Sequence, residues 1–305
     1  MRTDGLSIKD FIGNTPLIRL LNIERYFGVE GEIYAKLETF NPTHSVKDRA
    51  AKYILEDAYQ KRKIREGGVI VEATSGNMGI SLSALSTFYG CTTVIFMPEN
   101  MSRERVRIIE SYGGRVILTP ADEKMRGARV RAEKYAVESG GYMPSQFENP
   151  MSQIAHYMTT GPEIYRQTEG RIGVFVAGVG TAGTIIGVGR HLKERVKGIK
   201  IVAVEPEESA VLSGKKPNKH KIQGIGADFY PPLLEENGVI DKIVTANYEQ
   251  STEYAAILSR KEGIFAGISS GAALYAAVKL SLNKYKNGER IVVLLPDGGE
   301  KYLSI

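Results

Sequence analysis

"VFVAGVGTAGTIIGVG", residues 174–189, joins a short β-branched and aromatic run to a glycine-rich turn and then to an apolar stretch with helical spacing. A strand that passes through such a turn into a helix is one βα unit. Its turn gathers backbone N–H groups at a helix N-terminus, where an anion is favoured. Gly178, Gly180 and Gly183 spell G-x-G-x-x-G, and Glu205 closes the next apolar run about where a ribose-binding acid would sit. An NAD-dependent dehydrogenase is therefore one reading of this turn. A compact phosphate held by Thr181, Thr184 and the glycine backbone is the other.

Outward from this unit, β-branched runs alternate with amphipathic ones along most of the 305 residues, the pattern of an α/β fold with mainly parallel sheets. Strands are expected at 32–37, 69–73, 92–97, 115–119, 172–178, 200–205 and 290–297. Helices are expected at 46–61, 77–89, 102–111, 123–139, 152–168, 183–195, 249–262 and 271–284. The Gly- and Pro-rich stretch 209–238 is expected to be ordered but irregular. The length allows two domains.

Charge and composition exclude several classes. Forty Lys and Arg against 35 Asp and Glu give a formal +5, and the basic residues alternate with Glu at helical spacing, so no nucleic-acid-binding arm is present. No apolar run reaches the length of a membrane span, and "MRTDGLSIKDFIG" lacks the apolar centre of a signal peptide. Cys91 is the single cysteine, placed at the start of an apolar strand, which reads as a buried structural thiol in a reducing compartment. A cytoplasmic protein is expected.

Two further turns share the design of the first: "TSGNMG" (74–79) and "GISSGAA" (267–273). Three small-residue turns that each open a helix imply one ligand crevice at the carboxyl ends of the strands. In "KLETFNPTHSVKDRAA" (36–51), Ser45 can cap a helix that carries Lys47 in its first turn. A cation there opposes the helix dipole, which favours the neutral amine, and a neutral amine can attack an aldehyde. A surface lysine paired with Asp48 or Glu56 is the plain alternative.

These stretches together resemble the cysteine synthase (O-acetylserine sulfhydrylase) family of fold-type-II pyridoxal-phosphate enzymes, the group that includes cystathionine β-synthase. The likeness runs through "GNTPLIRL" (13–20), "NPTHSVKDR" (41–49), "TSGNMGI" (74–80), "QFENP" (146–150), "HYMTTGPEI" (156–164), "VEPEES" (204–209), "KIQGIGA" (221–227) and "GISSGAA", in family order. It implies a tryptophan synthase β-like fold of two mainly parallel-sheet domains. Residues 1–38 with 146–305 would form the larger, cofactor-binding domain, and 39–145 a smaller mobile one.

The resemblance also implies roles. Lys47 would hold pyridoxal 5'-phosphate as an internal aldimine and move the substrate α-proton. Gly180, Thr181, Ala182, Gly183 and Thr184 would cup the phosphate, with Ala182 standing where the family usually has Gly. Thr74, Ser75, Asn77, Met78 and Gln146 would receive the substrate carboxylate, with Met78 in place of a common threonine, and Asn77 would also bond the cofactor ring oxygen. Ser269, or its neighbour Ser270, would face the pyridine nitrogen. His156 and His44 are read as structural and solvent-facing. The implied reaction is β-replacement of O-acetyl-L-serine by sulfide through an α-aminoacrylate, giving L-cysteine. O-phosphoserine as donor and homocysteine as acceptor are the alternatives within the family. No arginine stands in "KIQGIGADFYPP" to receive a donor phosphate, and no regulatory module is expected after "LLPDGGEKYLSI". The likeness further implies a homodimer, with serine acetyltransferase as a partner, and no metal is expected.

Overall fold

Small-sheet and large-sheet strands come from separate stretches of the chain in the computed structural model, which describes residues 5–234, 238–283 and 289–304. In chain order the elements are β1 (Leu17–Arg19), α1 (Leu21–Phe27), β2 (Glu32–Leu37), α2 (Lys47–Gln60), β3 (Val69–Ala73), α3 (Asn77–Ser86), β4 (Thr92–Pro98), α4 (Arg103–Ser111), β5 (Arg115–Thr119) and α5 (Lys124–Ser139). There follow α6 (Met151–Met158), α7 (Thr160–Gln167), β6 (Val174–Gly178), α8 (Gly183–Arg195), β7 (Lys200–Pro206), β8 (Lys242–Ala246), α9 (Tyr248–Glu262), α10 (Ile268–Asn283) and β9 (Arg290–Leu295).

The larger sheet has the order β1-β2-β9-β6-β7-β8, with only β1 antiparallel to its neighbour. The smaller is a parallel β3-β4-β5 sheet. Strands buried on both faces must be apolar throughout, and "VFVA" of β6 and "IVVLL" of β9 are buried at every position. One face of the large sheet packs on α9 and α10 through residues such as Leu258, Leu274 and Val293. The other packs on α8 through Phe175, Ile186 and Val188. Each such buried side chain contributes about 1.5–3 kcal/mol relative to exposure.

The expected elements are present, with physically interpretable departures. The single helix expected at 152–168 is two, broken at Thr159, because Pro162 has no N–H to give the Met158 carbonyl four residues earlier. Helix α10 begins at Ile268, three residues before its expected start, and residue 284, its expected end, lies outside the described residues. The expected helix at 77–89 ends as a 3-10 turn over Thr87–Tyr89. Strands β1 and β8 and helix α1 are additional. The stretch 209–238 is free of strands and α-helices over its described residues, which exclude 235–237. Cys91 is buried, its thiol pushed up by burial and turned toward the Arg65 carbonyl.

Candidate active site

Strand ends meet helix starts at one cavity between the two sheets. Thr74 to Met78 enter it just after β3, Gly180 to Thr184 after β6, Pro296 and Asp297 after β9, and Lys47 from the head of α2. The cavity thus opens at the carboxyl ends of the strands, where open α/β sheets bind ligands. Of the residues singled out in the sequence, Lys47, Thr74, Ser75, Asn77, Met78, Gln146, Gly180, Thr181, Ala182, Thr184 and Ser269 all line it. Gly183 lies behind, as the first residue of α8, with no room for a side chain: a Cβ would come within 3.0 Å of the Ser152 backbone. Ser270 is fully buried and is not among the lining residues.

Helix α2 carries Lys47 into the cavity because its own frame is rigid. Ser45 Oγ accepts the Lys47 N–H at 3.2 Å. Two residues on, Arg49 is buried and forks onto Glu38 (Nε–Oε2 2.7 Å, Nη2–Oε1 2.8 Å) and Glu163 (Nη1–Oε1 2.7 Å, Nη2–Oε2 2.8 Å). Lys36 completes the group at 2.7 Å from Glu163. Two cations and two anions cancel, so the network is tolerable in the interior and ties α2 to β2 and α7. Burial pushes the Glu163 carboxyl up, but Arg49 and Lys36 outweigh it and hold it down to about 2.

The pairing of Lys47 with Asp48 does not occur. Asp48 is buried and accepts from the Thr43 N–H at 2.7 Å, the Thr43 hydroxyl and Ser81 Oγ at 2.6 Å. Burial lowers the Lys47 amine to about 8, against an opposing pull from the Asp297 carboxylate. An appreciable neutral fraction is therefore present near neutrality, as a nucleophilic amine requires.

The turn after β6 is built for close backbone approach. A Cβ on Gly180 would lie 2.5 Å from the Gly224 carbonyl oxygen, so only glycine fits. Ala182 sits at φ +69°, a left-handed conformation that costs a non-glycine residue about 1–2 kcal/mol. No acceptor among the described residues takes the N–H groups of Gly180, Thr181 or Ala182. Behind the turn, Thr184 Oγ1 lies 3.1 Å from His156 Nε2, and His156 Nδ1 lies 2.9 Å from Thr160 Oγ1. Burial, reinforced by the Arg49 charge, lowers His156 to about 3, so it is a neutral support for the threonine.

The loop after β3 is shaped by Gly76, whose φ of +146° and contact with Arg105 exclude any other side chain. Thr74 Oγ1 accepts the Gly76 N–H at 3.2 Å. Gln146 donates from Nε2 to the Ala73 carbonyl at 3.3 Å, and its N–H donates to Glu72 Oε2 at 3.1 Å. Met78 is buried in the core of the small-sheet side, so its side chain is a packing group and its N–H is the part left to the cavity.

Among the lining residues left without a role in the sequence reading are Arg105, Met125, Phe147 and Asp297. Arg105 Nη1 donates to the Ser75 carbonyl at 2.8 Å and Gln223 Oε1 at 2.6 Å, and its guanidinium stacks 4.7 Å from the Tyr302 ring centre. An arginine inside a run of Glu and Arg on an amphipathic helix gave no signal. Asp297 comes just after the buried apolar run Ile291–Leu295 of β9, and a carboxylate at that position was the one available clue. Glu205, by contrast, is spent on structure: it accepts from the Leu212 N–H, the Ser213 N–H and Ser213 Oγ, leaving a dinucleotide ribose without its acid. His44 is exposed and lies 3.3 Å from Glu300.

A half-buried amine of lowered pKa, a glycine and threonine cup with free N–H groups, and two small-residue loops around one cavity fit a small phosphorylated cofactor that bears a carbonyl. The fold and site thus define an α/β enzyme of the kind that holds its cofactor through a lysine. Residues 8–297 match the model of the family described as "Pyridoxal-phosphate dependent enzyme", and the chain belongs to that family. A cysteine synthase of Staphylococcus aureus is 44% identical over 299 residues, 98% of this chain and 95% of the relative. The crystal structure of an Entamoeba histolytica cysteine synthase superposes with a TM-score of 0.93 at 39% identity, covering 100% of this chain and 91% of that one. That of an O-acetylserine dependent cystathionine β-synthase from Helicobacter pylori gives 0.94 at 37% identity, covering 100% and 99%. The cofactor is pyridoxal phosphate, and the two-sheet α/β fold is that of the fold-type-II enzymes.

Proposed function

We propose that the protein is a cysteine synthase that replaces the acetoxy group of O-acetyl-L-serine with sulfide. The observation that carries this reading is the convergence of the Lys47 amine, the 180–184 cup and the 74–78 loop on one cavity. When bound, pyridoxal phosphate supplies an electron sink for negative charge developing at the substrate α-carbon. Lys47 would hold the cofactor through Nζ, and the N–H groups of 180–184 with the Thr181 and Thr184 hydroxyls would receive its phosphate. Ser269 would offer a neutral hydroxyl to the pyridine nitrogen, and Asn77 would hydrogen-bond the ring oxygen. The substrate carboxylate docks on the backbone and hydroxyls of Thr74, Ser75, Asn77 and Met78, with Gln146 completing the site.

With the cofactor bound, Lys47 Nζ would take the substrate α-proton as the Cβ–O bond breaks and acetate leaves. Sulfide then forms the C–S bond, Lys47 returns the proton to the α-carbon, and L-cysteine is released. Residues 39–145 form the smaller domain and close over the carboxylate, which excludes water. In support of the acetyl ester, no arginine stands in "KIQGIGADFYPP" to receive a donor phosphate. Arg105 spends Nη1 on Ser75 and Gln223, while its buried Nε and Nη2 have no hydrogen-bond partner among the described residues, so the comparison of donors is decisive. A cytoplasmic homodimer that associates with serine acetyltransferase belongs to the same reading and is supported by the sequence resemblance. The test compares O-acetylserine with O-phosphoserine as donor, and sulfide with homocysteine as acceptor. The reading expects cysteine from the acetyl ester and sulfide at the highest kcat/KM, and a preference for either alternative would displace it.

A further inference from the structure

The C-terminal turn carries a buried lysine that the proposed chemistry does not use. Lys301 is 1% exposed and donates from Nζ to the Thr43 carbonyl at 2.9 Å, the His44 carbonyl at 3.0 Å and Asn77 Oδ1 at 3.1 Å. An ammonium has three hydrogens, so these three acceptors satisfy it. Thr43 and His44 lie in the turn that leads into Lys47, while Asn77 opens α3. One cation, 224 residues from Asn77 in sequence, therefore ties the turn before Lys47 to the asparagine's loop.

Asn77 meets the opposite charge on its other side. Its Nδ2 donates to Asp297 Oδ2 at 2.7 Å, and the same oxygen accepts from the Tyr302 hydroxyl at 2.6 Å. The two ends of an amide have nearly the same shape, so packing alone leaves its orientation open. Here the charges decide it. A flipped amide would set its N–H groups against an ammonium and its carbonyl against a carboxylate, replacing two charge-assisted hydrogen bonds by two repulsions. Nδ2 has two hydrogens, and Asp297 takes one.

We propose that Lys301 and Asp297 are positioning residues that lock the Asn77 amide with its oxygen away from the cavity, so that it offers an N–H, never a carbonyl, to the ligand. The inference rests on the reading that Asn77 faces the cofactor's ring oxygen. That oxygen is an acceptor, so the lock selects the only useful face of the amide.

The experiment is a double-mutant cycle on cofactor-free protein titrated with pyridoxal phosphate, followed by its visible absorption, with the unfolding temperature of each variant recorded. Asn77→Ala and Lys301→Met are each expected to weaken binding about tenfold, and the double variant by no more than about threefold beyond the weaker single, because the lysine acts through the asparagine. Lys301→Arg, which keeps a cation and its donors, is expected within about threefold of wild type. If Lys301→Met does not fold, Lys301→Gln takes its place in the cycle. A double variant weakened by the product of the two singles, about a hundredfold, overturns the proposal. So does a Lys301 variant whose unfolding temperature falls while its affinity for the cofactor is unchanged, the signature of a purely structural lysine. Failure of the wild-type protein to bind pyridoxal phosphate would instead remove the assignment of the site on which the inference stands.

Discussion

Glu72→Gln is expected to change the pH dependence of stability in a calculable way. Glu72 sits in β3 at 2% exposure, where its two oxygens accept the N–H groups of Ala73 at 2.9 Å and Gln146 at 3.1 Å. Burial pushes its carboxyl up to about 7, with the backbone donors and the charge of Arg129 opposing. The shift of roughly 2.5 from an unfolded value near 4.5 corresponds to about 3 kcal/mol at 1.36 kcal/mol per unit. The sign follows from proton counts: between about pH 4.5 and 7 the native state holds the proton and the unfolded chain has released it. Stability attributable to this group therefore falls as pH rises through that window, and is lowest above 7. Glutamine cannot ionise, which removes that loss, but it has one acceptor oxygen for two N–H donors, and leaving one unsatisfied costs about 1–3 kcal/mol. The variant should thus be less stable than wild type at pH 4.5 by about 1–3 kcal/mol, and equal to it or up to about 2 kcal/mol more stable at pH 8. Urea unfolding of the cofactor-free proteins at both pH values measures the difference. A change in unfolding free energy that is the same at both would refute the buried, proton-holding Glu72.

Three further outcomes follow from the site. Gly180→Ala forces a Cβ to within 2.5 Å of the Gly224 carbonyl and should weaken pyridoxal phosphate binding at least about tenfold, whereas unchanged affinity would show that the turn can yield. In cofactor-free protein, acylation of Lys47 mapped by peptide mass spectrometry should rise through a pH of about 8, below that of exposed lysines. Because Asp297 pulls this amine upward, Asp297→Asn should move the midpoint lower, and a move upward would contradict the placement.

Most of the framework was legible because it is written in local terms. Interior strands such as β6 and β9 are continuous apolar runs, and their bounds read to within two residues. Strand β1, three residues at a sheet edge, and β8, with exposure at Lys242 and half-burial at Ile243, lack such runs and did not stand out. The break at Thr159 follows from a proline whose effect on one helical repeat is visible only once the backbone is traced. Two of the three cavity-lining turns, after β3 and β6, were legible because glycine and hydroxyl residues mark a strand-to-helix junction; the third, 267–273, opens α10 directly after α9 with no strand between. Arg105, Asp297 and Lys301 were not, because their meaning comes from partners such as Gln223, Asn77 and Thr43 that lie more than a hundred residues away. The Gly178, Gly180 and Gly183 pattern admits a dinucleotide reading for a related reason: the same spacing serves packing against Ile225 and Ser152 as well as a phosphate turn.

The most direct test is a visible absorption spectrum of the purified protein, reconstituted with pyridoxal phosphate, before and after O-acetyl-L-serine and then sulfide, with Lys47→Ala alongside. The account predicts a yellow wild-type protein whose band shifts on addition of the ester and returns with sulfide as L-cysteine and acetate appear in equal amounts, and a Lys47→Ala variant that does neither. A wild-type protein that stays colourless after reconstitution, or whose band is unmoved by the ester, would contradict it.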